Sequence, residues 1–119
     1  MPWEVEVTDQ FEEWWDGLHE AEQDALDAAV EKLEMLGPAL GRPLADTLKG
    51  SRHPNMKELR PPGTSIRVCF AFDPRRMAIL LIGGDKSGRW EAWYRENIPV
   101  ADALYDEHLA TLRGEGEIP

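Results

Sequence analysis

One cysteine, Cys69, and three histidines, His19, His53 and His108, are all the chain has of the side chains that most often bind metals or form cross-links. A lone cysteine in a predicted strand excludes a disulfide framework and makes a reducing cytoplasm the expected compartment. The histidines are scattered, and no H-E-x-x-H, C-x-x-C or EF-hand spacing occurs, so neither metal catalysis nor a cofactor is expected. There is no P-loop and no G-x-G-x-x-G; Gly83 and Gly84 read as a plain turn releasing the chain toward Asp85. No serine occupies a strand-to-helix elbow with a histidine partner, which removes nucleophilic triads. The longest apolar run, residues 77–82, is too short to cross a bilayer, and no apolar leader follows a basic start, so no membrane association is expected.

Positive charge is also scarce, 13 Lys and Arg against 23 Asp and Glu, a net charge of −10. Taken whole, that balance argues against a polyanionic partner. Its distribution argues otherwise. Residues 1–48 hold 2 basic and 13 acidic side chains, residues 49–95 hold 10 and 4, and residues 96–119 hold 1 and 6. A basic centre on an acidic scaffold can dock phosphate locally, because salt screens charges beyond about 8–10 Å. The alternative is that these cations only pair with the acidic helices.

That basic centre, residues 55–89, predicts three strands and two tight turns, the first at Pro61, Pro62 and Gly63 and the second at Asp73, Pro74, Arg75 and Arg76. In the middle strand Ile66, Val68, Phe70 and Phe72 alternate with Ser65, Arg67, Cys69 and Ala71, so Arg67 projects away from the apolar face. With Leu59 facing the core, Glu58 and Arg60 take the other side, where antiparallel pairing brings them near Arg67. Lys57 has the parity of Leu59 and joins them only through a bulge or a strand end. MAILLIGG is an unbroken apolar run, as for a strand covered on both faces. Arg75 and Arg76 read as a solvated turn.

The flanks are simpler. Residues 2–8 alternate as a half-buried strand; Phe11, Trp14, Trp15 and Leu18 recur at helical spacing behind a Thr8 or Asp9 cap. Trp14 and Trp15, being adjacent, are not expected to face one core together, leaving one for a partner. A longer helix spans Glu20–Leu36, its stripe Leu26, Ala29, Val30, Leu33 and Leu36, and Gly37 with Pro38 ends it. Residues 37–54 read as a loop with at most a turn of helix at 44–48. Residues 89–97 form a short helical segment, a last helix opens at Ile98, Pro99 and Val100, and residues 114–119 form a frayed tail. Residues 1–113 are thus one domain. Trp90 and Trp93 read as buried anchors for the last helix, with base stacking as the alternative.

What remains for chemistry is arginine and lysine around one carboxylate. Such a cluster suits cleavage of RNA by its own 2′-hydroxyl, where charge builds on the phosphate oxygens and two protons move. With MKELR leading into IRVCFAF and then AILLIGGDKSG, residues 3–112 resemble the RelE superfamily of toxins from bacterial toxin–antitoxin pairs, in particular its HigB-like branch related to a phage protein. The resemblance implies an α+β RelE-like fold: a twisted, mostly antiparallel sheet in the order β-α-α-β-β-β-α, a helical hairpin on one face and a basic cleft opposite. It also implies a metal-independent endoribonuclease that cuts messenger RNA on the ribosome, with a co-encoded antitoxin as partner.

By the same resemblance Arg67 stabilises the scissile phosphate, Arg60 holds phosphate or backbone, Lys86 and Arg89 serve the phosphate or leaving group, and Tyr94 replaces a late family tyrosine. The family's lysine base is absent, Met56 and Glu58 standing in its place, so Glu58 becomes the available base and Lys57 an auxiliary cation. Simple pairing of Glu58 with Arg60 or Arg67 is the alternative. Lys49 and Arg52 lead into the meander as further RNA-binding candidates. Two other functions stay open: a gyrase poison of ParE type, and an inactive antitoxin-binding module.

Overall fold

The computed structural model describes residues 2–119. Its centre is the pair β4 (Ile66–Phe72) and β5 (Ala78–Asp85), the two longest strands, flanked by β3 (Lys57–Leu59) and β2 (Ala45–Thr47) on one side and β1 (Val5–Val7) on the other. The sheet order is β1-β5-β4-β3-β2, antiparallel throughout except for β1, which runs parallel to β5. The mostly antiparallel α+β fold read from the sequence is therefore present. It carries one extra strand, since residues 44–48 are not helical: β2 pairs with β3 and places Asp46 opposite Glu58.

Two helices cover one face. In α1 (Asp9–Asp16) the Thr8 hydroxyl accepts from the Phe11 N–H at 3.0 Å and donates to the Leu81 carbonyl at 2.6 Å, so one cap also fastens the helix to β5. The hairpin is completed by α2 (Glu20–Leu36). Phe11, Leu26, Ala29 and Leu33 pack on Leu59, Ile66, Val68, Phe70 and Leu80, the predicted apolar side of the meander. Trp14 and Trp15 both pack against this core, contrary to the expectation for adjacent residues: each is only part-buried, so each needs only one edge of the cluster. Leu36, assigned to the stripe, is exposed.

The opposite face is not an open cleft. It is largely covered by α3 (Trp90–Gly114), a single helix where two were expected. A proline inside a helix removes one hydrogen bond and costs about 3 kcal/mol. Pro99 is tolerated because Trp93 and Ile98 before it, and Ala101 and Tyr105 after it, enter one second core with Leu48, Met56, Cys69, Ala71, Ile79 and Leu81. A bulge contributes: Cys69 pairs with Ile82 and Phe70 with Leu80, and both Leu81 and Ile82 pack toward α3. Gly83 and Gly84 are no turn either; they lie within β5, where a Cβ would come 2.3 Å from the Trp14 ring and from Trp93 Nε1 respectively.

The second turn is more than a solvated one. Arg75 is part-buried and bonds Asp73 at 2.7 Å and Glu6, while His108 Nε2 reaches Asp73 at 2.9 Å. Burial works against the Asp73 charge, but these donors outweigh it and hold its carboxyl below the ordinary range. Glu6, Asp73 and His108 could in principle ligate a metal ion, yet the Arg75 guanidinium bonds both of these carboxylates. Arg76 is exposed and lies over the Trp3 ring. Among the described residues no helix is long and apolar enough to cross a membrane.

Candidate active site

Where the start of β4, the end of β3, the segment 42–49 and the first turns of α3 meet, a cavity of about 550 Å³ remains open. Glu58 forms its floor, 3% exposed. Strand parity puts Glu58 and Arg67 on the α3 side, and the register Glu58 to Cys69 makes them diagonal neighbours. Arg60 Nη2 bonds one Glu58 oxygen at 3.0 Å; Tyr94 donates its hydroxyl to the other at 2.6 Å, and Arg67 Nε stands 3.7 Å from that same oxygen. Arg60 also reaches Asp46 at 3.4 Å, which Arg42 holds at 2.9 Å. The guanidiniums thus converge, Arg67 with 15% and Arg60 with 32% of its side chain exposed to the cavity.

Lys86 and Lys49 complete the rim, and among the described residues neither has an ion-pair partner. The lining carries five cations, Arg42, Lys49, Arg60, Arg67 and Lys86, against two carboxylates, Asp46 and Glu58. It is a positive recess in an acidic protein. Burial opposes the Arg60 charge, but the Glu58 bond and the nearby carboxylates outweigh it and hold the guanidinium more firmly protonated. Burial, then the Glu58 carboxylate, pushes the Tyr94 phenol up to about 12, so it remains a hydrogen-bond donor at neutral pH. Burial likewise pushes the Cys69 thiol up to about 12, which leaves it inert.

Of the residues singled out from the sequence, Arg67, Arg60, Glu58, Lys86, Tyr94 and Lys49 line this one cavity. Three others do not. Lys57 pairs with Phe70 in unbroken register, on the Leu59 side, so the bulge needed to turn it inward is absent. Arg52 is drawn to Asp106 at 2.6 Å on α3, and Arg89 to Glu96 at 2.5 Å. Reasoning from sequence missed Arg42 and Asp46, and it favoured burial for Trp90, which the structure leaves exposed on the rim. Arg42 and Asp46 stand four residues apart, but on a turn and on β2 rather than on one helix, so the spacing carried no signal of their pair. Nor does the sequence separate Trp90 from Trp93, which share one aromatic-rich segment although only Trp93 is buried.

This arrangement can hold an anion with at least three donors while a buried carboxylate keeps the donors aligned. The family model "Phage derived protein Gp49-like (DUF891)" matches residues 13–106. The chain belongs to this family. It is 51% identical over 107 residues to "Putative toxin HigB3" of Mycobacterium tuberculosis, covering 90% of this chain and 94% of that protein. It is 50% identical over 111 residues to "Putative toxin HigB2" of the same organism, where the match spans 91% of this chain but only 55% of the longer relative. Among solved structures, the isolated Escherichia coli RelE toxin superposes with a TM-score of 0.59 at 10% identity, covering 79% of this chain and 97% of RelE. A chain of the archaeal RelE–RelB complex from Pyrococcus horikoshii OT3 gives 0.59 at 16% identity, covering 74% of this chain and 99% of that one. The fold is RelE-like.

Proposed function

We propose that this protein is the toxin of a toxin–antitoxin pair, and that it is a metal-independent endoribonuclease acting on messenger RNA held by the ribosome. The observation that supports this most directly is the gathering of Arg60, Arg67 and Lys86 with Glu58 and Tyr94 around one cavity, in a chain half identical to proteins named as HigB toxins. The scissile phosphate sits among the guanidiniums, which keep their charge throughout and stabilise the extra negative charge of the transition state. The 2′-oxygen forms a bond to phosphorus as the bond to the 5′-oxygen breaks, leaving a cyclic phosphate and a 5′-hydroxyl. Glu58 lies behind Tyr94, so the 2′-hydroxyl hands its proton to the phenol oxygen as the phenol passes its own to the carboxylate across the 2.6 Å bond. Lys86, on the rim, supplies a proton to the departing oxygen.

The partner that silences such a site is a co-encoded antitoxin, and cells that carry the pair hold both in the cytoplasm. Induced expression in bacteria, with 5′ ends of messages mapped, tests the reading. The wild-type chain should arrest growth and create new 5′ ends within messages, and Arg67→Ala should abolish both. Arrest by Arg67→Ala without new ends would instead indicate a toxin of another class, such as a gyrase poison.

A further inference from the structure

Trp90 and Trp93 open α3 one turn apart in composition but not in role. Trp93 is 2% exposed and seated over Gly84, whereas Trp90 is 56% exposed on the cavity rim. Between them stands Tyr94, edge-on to Trp93 with centroids 5.1 Å apart and edge-on to Trp90 at 6.5 Å. The Tyr94 hydroxyl is fixed by Glu58, so the corner that carries Trp90 is anchored in the sheet. An indole of this exposure gives little to the core. It does present a flat apolar face beside a recess of five cations, the pairing of aromatic platform and basic groove that single-stranded nucleic acids engage.

Taking the ribonuclease reading as its basis, we infer that Trp90 is the stacking platform for the nucleobase next to the scissile phosphate, and through it a determinant of base preference. The arginines and Lys86 grip a phosphate whatever its neighbours; only a group that meets the base can discriminate. Stacking is graded rather than coded, so the discrimination it gives favours the larger rings of purines over pyrimidines.

The test uses purified full-length protein with ribosomes programmed with messages bearing each base, or an abasic residue, at the positions flanking the cut. Wild type should cut faster with a purine at one flanking position and lose that advantage when the position is abasic. Trp90→Ala should cut roughly 5- to 150-fold more slowly on the purine substrate, the range expected for losing one stacked base. Its rate should be indifferent to the abasic change. Trp90→Phe should recover most of the rate. Because Trp90 is exposed, an unchanged denaturation midpoint for Trp90→Ala would confirm that folding is intact. Equal rates and profiles for Trp90→Ala and wild type would overturn the platform alone. So would a loss that is the same on base-bearing and abasic messages, which would make Trp90 a contact to protein or backbone. Wild type that cuts none of these messages would overturn the ribonuclease reading and the platform with it.

Discussion

At the scale of the residue, Glu58 determines what the cavity can do, because one carboxylate is shared by two guanidiniums and a phenol. Breaking a buried pair from one side leaves uncompensated charge and costs on the order of 3–5 kcal/mol. Glu58→Ala should therefore lower stability measurably in chemical denaturation, and an unmoved midpoint would show that solvent already balances Arg60 and Arg67. Tyr94 gives a second prediction. Its phenol rises from 10 to about 12 in the fold, burial first and the Glu58 carboxylate next. A raised value favours the neutral folded form, so this contribution is full below pH 10 and is lost as pH climbs through about 12. Compared with wild type, Tyr94→Phe should lose less stability across that window; parallel curves would reject the shift. Strand alternation made Glu58, Arg60 and Arg67 legible as neighbours. It could not show that Asp106 on α3 would draw off Arg52, because that pair joins segments that no local pattern relates, nor that Arg89, at the start of α3, would turn to Glu96 two turns along the same helix rather than to the cavity.

At the scale of the element, β5 is the strand on which both cores close. Its bulge turns Leu81 and Ile82 the same way, and its two glycines receive one tryptophan from each side, Trp14 over Gly83 and Trp93 over Gly84. A methyl group at either position would overlap a ring, and overpacking of this kind costs about 1–3 kcal/mol. Gly83→Ala and Gly84→Ala should each lower the denaturation midpoint, and Gly84→Ala should also disturb Tyr94 through Trp93, visible as altered tryptophan emission. Wild-type midpoints in both would mean the rings are not seated there. The hairpin of α1 and α2 was legible because its apolar stripe repeats at helical spacing and its ends carry capping residues. The three residues of β2 have no period to read, and Pro99 suggested a helix start because its packing partners on both sides lie in a sheet face that only the fold assembles.

At the scale of the molecule, the acidic ends and the basic centre meet in space as they did in sequence, but α3 narrows the expected open cleft to one recess. The overall extent is 41 × 33 × 26 Å, so at 0.01 M salt, where charges interact over about 30 Å, a bound strand senses the whole net charge of −10. Near physiological salt, where the range is about 8 Å, it senses mainly the five cations and two carboxylates of the recess. Five phosphate contacts alone would give a log–log salt slope of about −3.5 for single strands, at roughly −0.7 per contact. Repulsion from the acidic scaffold grows as salt falls and opposes that term, so the slope for a 2′-O-methyl RNA oligonucleotide, followed by titration, should be much shallower. If the proposed function holds, cleavage of ribosome-held messages should not need low salt, since the ribosome rather than the protein's own field would deliver the strand. A full slope of about −3.5 would show that the acidic surface has no part in keeping free RNA away.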